Sequence, residues 1–345
     1  MRKSSVLIIF ILIVVTNSLG ACKNSHNENQ GYHNDIRFIS KSYRFPFVSW
    51  EIENLSSLMK EKIYGIVNKT DEKELRGQIE SIILENGISL FPPLTYVLED
   101  PPHLLVISPR DRIYYFDRIL LRQDLSEYEK LTLERKIDEL GLSSLVTELG
   151  GFGATYPPIV SPNSRINYRI NIIVEEWLHQ YLAFKPLGFR YFLDSIGIRQ
   201  DQNIIILNET LAGLVSEEIG TKVINRFYNK IEAEAKELKS TDSSFDIEMR
   251  RIRQQVDLYL SVGDVRGAEN YMEEQRLDLA SRGYKIRKLN QAYFAFHNIY
   301  AHDPASISPI NVELKKMRSN SLSLKEFLEK ASSFRSYADL LRMLN

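Results

Sequence analysis

The 345-residue chain is poor in cysteine, with Cys22 as its only one, and has no excess of basic residues. A single thiol cannot form an intrachain disulfide or a cysteine-rich metal site, so both are excluded. Lys plus Arg number 44 and Asp plus Glu number 45, which gives a formal net charge of −1. Because neither the net charge nor any basic cluster would attract phosphate groups, nucleic acid is excluded as a partner.

The N-terminal region has the three parts of a signal peptide. Arg2 and Lys3 supply positive charge, and the apolar run Val6–Val15 that follows is too short for a transmembrane helix, which needs about 20 residues. The run leads into Leu19-Gly20-Ala21-Cys22, which resembles a bacterial lipobox, where small residues precede a cysteine that becomes lipidated. We therefore predict that residues 1–21 are a lipoprotein signal peptide.

Lipidation of Cys22 would make the protein an exported, lipid-anchored membrane protein. The alternative is an ordinary secretory signal followed by a chance cysteine. Since more than one acyl chain gives stable anchoring, we expect the protein to remain on the periplasmic or cell-surface side of a membrane. Residues 22–40 are mainly polar, and this composition predicts a flexible tether between the lipid and the folded part.

The remaining residues, 41–345, are predicted to form a single α+β domain. The chain is 43% apolar and 26% charged, which excludes collagen, coiled-coil rods and low-complexity disorder. Two β-rich runs, Leu104–Ile107 and Ile113–Leu121, flank a turn-like tetrapeptide and predict an antiparallel hairpin. We expect a small antiparallel sheet within about 95–160, followed by a mostly helical part over about 165–345.

The helix predicted around Ile172–Leu182 carries the most informative side chains. Glu175 and His179 are four residues apart, so both lie on one helical face and can meet a single ion, while Glu176 can lean over the same ion. This is the geometry of H-E-x-x-H, with glutamate in place of the first histidine. The alternative is a solvated charged face, but the strongly apolar flanks favour burial, and buried charges need a partner or a metal.

A second motif, Asn208-Glu209-Thr210-Leu211-Ala212, begins 29 residues after His179, next to the strand-like run Ile204–Leu207. The order of the two motifs resembles that of gluzincin metallopeptidases, in which the later glutamate is the third zinc ligand. More closely, the chain is similar to bacterial lipoproteins grouped as predicted aminopeptidases. The segments that carry this resemblance are Glu176–Leu182, Lys185–Gly188, Asn208–Val215 and Glu218–Gly220, with further similarity in Ile107–Arg112, Gly150–Gly151, Ala154–Pro157 and Lys288–His297.

The resemblance implies a zincin-like fold and a site in which Glu175, His179 and Glu209 bind the metal and Glu176 is the general base. It implies Zn²⁺ as cofactor, and a site with one histidine and two carboxylates would also accept Mn²⁺ or another divalent ion. Two positions depart from the family. Glu175 replaces the first zinc histidine, and Gly213 stands where a carboxylate usually orients that histidine.

Two further segments are candidates for contact with a substrate. Asn290, Tyr293, His297 and Tyr300 are spaced for one helical stripe, so we expect a donor for the reaction's oxyanion among Tyr293, His297 and Tyr300; a packed helix face is the alternative. Gly150–Pro158 is glycine-rich and could form an edge strand that pairs with an extended peptide, although a tight turn explains its glycines as well.

Two functional hypotheses follow from these motifs. The first is a metal-dependent peptidase that hydrolyses peptide or protein substrates with a metal-activated water and Glu176 as base. The second is a catalytically inactive relative that keeps the buried site as a peptide-binding or structural module. The intact Glu176, His179 and Glu209 favour the first, whereas Glu175 and Gly213 favour the second.

Overall fold

The structure is a computed structural model that describes residues 27–54, 70–195, 198, 201–228 and 243–344. The predicted signal peptide, residues 1–21, and the predicted lipidation site, Cys22, lie outside the described residues. Within the part that the structure describes, no helix is both long enough and apolar enough to cross a membrane.

The hairpin predicted from sequence belongs to a three-stranded antiparallel sheet. Strands β2 (His103–Pro109), β3 (Asp117–Leu121) and β4 (Leu142–Thr147) are arranged in the order β3-β2-β4. β2 pairs antiparallel with both neighbours, and its residues from His103 to Ser108 are buried. The prediction of a small antiparallel sheet is thus confirmed for this part of the chain.

A second small sheet has mixed pairing, which the sequence did not indicate. It contains β1 (Val97–Leu98), β5 (Gly151–Phe152) and β6 (Ile159–Val160) in the order β1-β6-β5. β1 and β6 are parallel, while β5 and β6 are antiparallel. Two-residue strands give too little pattern to predict their partners, but β5 does lie at the edge of its sheet, as expected for the glycine-rich segment.

The prediction of a flexible tether over residues 22–40 is wrong from Asn27 onward. Residues Asn27–Ser40 form helix α1, followed by a 3₁₀ turn at Lys41–Tyr43. Ile36 is fully buried in a cluster with one face of the first sheet, and His33 bonds to Asp117, with 3.0 Å between Nδ1 and Oδ2. Burial of a few apolar side chains against a distant part of the chain outweighs the polar composition of this segment.

Helices make up most of the remaining structure. Residues 47–54 are helical. The further helices are α2 (Thr70–Glu85), α3 (Glu127–Asp138), α4 (Ile166–Ala183), α5 (Pro186–Ser195), α6 (Gln202–Phe227), α7 (Ser243–Ser261), α8 (Val265–Ser281), α9 (Gln291–His297), α10 (Ile310–Ser319), α11 (Leu324–Ser332) and α12 (Tyr337–Leu344). Helices thus lie both before and after the two small sheets, and this architecture agrees with the predicted α+β class.

The helices α4 and α6 pack against each other at the centre of the largest apolar cluster. Trp177 of α4 is fully buried there, and its Nε1 donates to the carbonyl of Pro92 at 2.8 Å. The prediction of a strand at Ile204–Leu207 is wrong, because α6 already begins at Gln202 after an N-cap by Asp201. A short run that is buried on all sides has no period with which to distinguish a strand from a helix.

Candidate metal centre

The packing of α4 against α6 brings together the three residues predicted to bind a metal. Glu175 and His179 project from one face of α4, and Glu209 projects from α6. Each offers one ligand atom, and the three atoms lie within 4.8 Å of one another. His179 Nε2 lies 3.5 Å from Glu209 Oε2, close to the separation of about 3.4 Å between two ligands in tetrahedral coordination.

Two neighbours orient this cluster. His179 Nδ1 lies 2.8 Å from the Oδ1 of Asn208, so the imidazole donates through Nδ1 and directs Nε2 toward Glu209. The hydroxyl of Tyr191, on α5, donates to Glu209 Oε1 at 2.8 Å and leaves Oε2 on the side of His179. Hydrogen bonds of this kind are typical of residues that hold metal ligands in place.

The buried carboxylates of this cluster are not balanced by neighbouring positive charges. Among the described residues, no Lys or Arg lies within salt-bridge distance of Glu175. Burial raises the pKa of Glu175 to about 7, with His179 opposing and Glu209 adding to the shift. Burial alone would lower the pKa of His179, but the carboxylates around it, Glu209 first, raise it above its usual value. The three side chains therefore favour an additional cation or proton among them.

The donor set fits a divalent cation. It offers one imidazole nitrogen and two carboxylate oxygens, which zinc accepts and which harder ions also accept. The side chain of His179 is 16% exposed and that of Glu209 is 8% exposed, so the cluster is largely sheltered from solvent. An ion held there would keep room for a water or a substrate oxygen, as metal centres that act on substrates do.

Glu176 lies against the backbone of β5 and the turn that follows. A Cβ atom at Gly151 would come within 2.5 Å of Glu176 Oε1, and one at Gly153 within 2.5 Å of Glu176 Oε2. Only glycine leaves space for the carboxylate at both positions. Burial raises the pKa of Glu176 to about 8; His179 opposes this shift, Glu175 adds to it, and a backbone hydrogen bond from Gly153 opposes it.

The glycine-rich segment is held from two sides. Gln180 of α4 donates to the carbonyls of Thr155 at 2.7 Å and Gly153 at 3.3 Å. On the other side, the carboxylate of Glu51 accepts the backbone N–H of Tyr156 at 3.1 Å. Neither residue stood out in the sequence, since a polar side chain on an apolar helix gives no sign of its distant backbone partner. Together they fix the position of β5 beside Glu176.

The buried Glu51 gives a prediction about pH. Burial raises its pKa from 4.5 to about 7, so folded Glu51 keeps its proton more readily than unfolded Glu51 does. Its contribution to stability is therefore complete below about pH 4.5 and is lost as the pH rises through about 7. Glu51→Gln should remove this loss. The free energy of unfolding of the variant minus that of wild type should therefore be larger at pH 8 than at pH 4.5, by on the order of 3 kcal/mol.

Urea denaturation at several pH values would measure this difference. The matched control is Glu53→Gln, which changes an exposed residue of the same helix and should leave the pH dependence of wild type unchanged. If Glu51→Gln and Glu53→Gln gave parallel curves, the buried position of Glu51 would be contradicted.

The stripe predicted for α9 is only partly formed. The helix ends at His297, so Tyr300 lies beyond it and the single-stripe prediction is wrong for that residue. Tyr300 nevertheless lies near the cluster. Burial raises its pKa, and the carboxylates of Glu209 and Glu175 are close enough to raise it further. His297 instead bonds to Asp303, with 2.7 Å between Nδ1 and Oδ2, and its ring contacts that of Tyr293 at a tilted angle. Of the three predicted donors, Tyr300 is thus the one for which the structure records proximity to the metal cluster.

Gly213, four residues after Glu209 on α6, faces a histidine. A Cβ atom at Gly213 would lie 3.3 Å from Cε1 of His302, so the imidazole occupies the space that a larger side chain would need. His302 itself is exposed to solvent. Because the two residues are distant along the chain, this contact could not be predicted from the sequence.

Comparisons with protein-family models, with curated proteins and with solved structures found no match to this chain.

Proposed function

We propose that the protein is a metal-dependent peptidase of zincin type, with Glu175, His179 and Glu209 as metal ligands and Glu176 as general base. One observation carries the proposal: the three ligand atoms converge within 4.8 Å, with no Lys or Arg among the described residues paired to Glu175. Zn²⁺ is the expected ion, and Mn²⁺ or another divalent ion would suit the same donor set.

The bound cation would supply a Lewis acid that polarises a scissile carbonyl and makes a water more acidic. Glu176 would accept the proton of the attacking water and pass it to the leaving amine. Gly153 supports this role, because its backbone hydrogen bond aims the carboxylate and its missing side chain gives the carboxylate room. Tyr300 is the best-placed candidate to donate a hydrogen bond to the developing oxyanion.

The edge position of β5 supports a peptide as substrate. Within the described residues, β5 pairs only with β6, so its other edge has no strand that a bound peptide would need to replace. Gly151 and Gly153 leave room for the Glu176 carboxylate, which therefore lies directly beside this edge. A peptide added along β5 would therefore pass the general base.

A second candidate, a catalytically inactive peptide-binding protein, is favoured by one feature. Glu175 stands in place of the usual first histidine, and the family's orienting carboxylate is replaced by Gly213, whose neighbouring space holds His302. In either case we propose that Cys22 is lipidated and anchors the protein on the outer side of a membrane.

Metal content separates these two candidates. We expect the full-length protein, purified without chelator, to contain about one equivalent of zinc or manganese by inductively coupled plasma mass spectrometry. His179→Ala should lose most of this metal, because it removes the only imidazole of the donor set.

His33→Ala is the matched control, since His33 pairs with Asp117 on the far side of the first sheet and should leave the metal content unchanged. Wild-type protein that stayed metal-free after reconstitution with zinc and with manganese would exclude the peptidase and favour the inactive candidate.

A further inference from the structure

Arg118 is a charged residue at a sheet position that is otherwise apolar. Side chains two apart on a strand share a face, so Arg118 lies on the same face of β3 as Leu120. Leu120 packs in an apolar cluster with Leu104 and Val106 of β2, and Val106 is the partner of Arg118 in the sheet register. An arginine placed on this face loses part of its hydration and needs a compensating contact.

The contacts of Arg118 are aromatic rather than acidic. Its Cζ lies 5.9 Å from the ring centres of both Tyr115 and Tyr191, and the guanidinium also interacts with the Tyr115 hydroxyl. The carboxylate of Asp194 is near enough to interact electrostatically with Arg118 but lies beyond salt-bridge distance. Among the described residues, then, no carboxylate pairs with Arg118, although it is only partly exposed.

Tyr191 connects Arg118 with the metal centre. The centre of its ring lies 6.0 Å from that of the His179 imidazole, and its hydroxyl donates to Glu209. Because guanidinium and imidazole are each about 6 Å from the same ring, they are at most about 12 Å apart. An extended peptide covers about 3.3–3.6 Å per residue, so a group held by Arg118 belongs to one of about three residues next to the scissile bond.

We propose that Arg118 binds a carboxylate of the substrate, so that the site prefers peptides with an anionic group within about three residues of the scissile bond. The inference rests on the proposed peptidase function and adds a substrate class to it. A guanidinium is planar and offers paired donors that match a carboxylate, and the two tyrosine rings hold it without satisfying its charge. The carboxylate can be a C-terminal α-carboxylate or the side chain of Asp or Glu.

Three peptides distinguish the two sources of the carboxylate. We would measure binding by calorimetry of acetyl-Ala-Ala-Phe as the free acid, the same peptide as its amide, and acetyl-Ala-Asp-Phe amide. Full-length protein carrying Glu176→Gln, with zinc and without it, keeps the peptides intact. At least one of the two anionic peptides should bind about 10-fold or more tightly than the neutral amide, in line with a charged hydrogen-bonded pair.

Variants test whether Arg118 causes this preference. Arg118→Gln should bind the three peptides about equally, while Arg118→Lys should recover part of the preference because it keeps the charge. Arg112→Gln is the matched control, since Arg112 is 63% exposed, pairs with Asp111 and should keep the full preference. A purely structural Arg118 would instead weaken all three peptides alike, and that result would overturn the inference.

The metal content of the same samples separates this inference from the proposed function. Zinc binding without any preference for anionic peptides would reject the carboxylate site and leave the peptidase standing. A preference that depends on Arg118 in a protein that binds no metal would reject the peptidase and keep the carboxylate site.

Discussion

Glu176→Gln is expected to reduce peptide hydrolysis by about 10²- to 10⁴-fold, the range for losing a general base. Glutamine has nearly the same shape and keeps an oxygen to accept the backbone hydrogen bond of Gly153, so β5 and the turn after it should stay in place. Because Glu176 is not a member of the ligand set, the metal content should be that of wild type. The loss should fall on kcat rather than on KM.

The rate of cleavage of a fluorogenic peptide by the zinc-loaded protein would measure this effect. Glu217→Gln is a suitable control, because Glu217 is a glutamate of α6 outside the ligand set. An active enzyme whose rate was unchanged by Glu176→Gln would assign the base to another residue and contradict the role proposed here.

Trp177→Ala should cause the largest loss of stability among the substitutions considered, about 3–5 kcal/mol. The indole is fully buried between α4 and its neighbours, and removal leaves a cavity together with an unpaired carbonyl at Pro92. Since Trp177 lies between Glu176 and His179 on the same helix, a loss of packing there would also loosen the metal centre. Guanidinium denaturation followed by circular dichroism would give the free energy of unfolding.

Two comparisons make this measurement specific. Trp177→Phe keeps most of the ring volume and should cost less than the alanine variant. Tyr128→Ala removes an aromatic ring that is 76% exposed on α3 and should change the free energy of unfolding by no more than about 0.5 kcal/mol. Equal costs for Trp177→Ala and Tyr128→Ala would mean that α4 is not packed as described.

The parts of the fold and site that could be predicted from the sequence are those determined by residues close together in the chain. Glu175 and His179 are four residues apart on a strongly apolar helix, and this spacing alone places both side chains on one face. The turn at Ser108–Asp111 between two β-rich runs likewise predicted the hairpin of β2 and β3, which the structure confirms. In each case, residues close in the chain determine the geometry.

The parts that could not be predicted depend on contacts between distant segments. Ile36 is an isolated apolar residue in a polar stretch, and only its burial against the first sheet makes α1 a folded element. Glu51 and Gln180 bond to backbone groups 105 and 25 residues away, for which side-chain patterns carry no information. The position of Arg118 on an apolar face follows from the pairing of β3 with β2, which the sequence of the strand alone does not determine.

If Cys22 is lipidated as proposed, the position of α1 limits how far the folded part can lie from the membrane. Only residues 23–26 separate Cys22 from the first residue of α1, and even a fully extended chain would span no more than about 18 Å over this distance. Acyl chains on Cys22 would thus keep α1, and the sheet to which His33 and Ile36 attach it, beside the lipid headgroups. A protein anchored in this way would meet its substrates only in a layer at the membrane surface, whose thickness is set by the short connection and the size of the folded part.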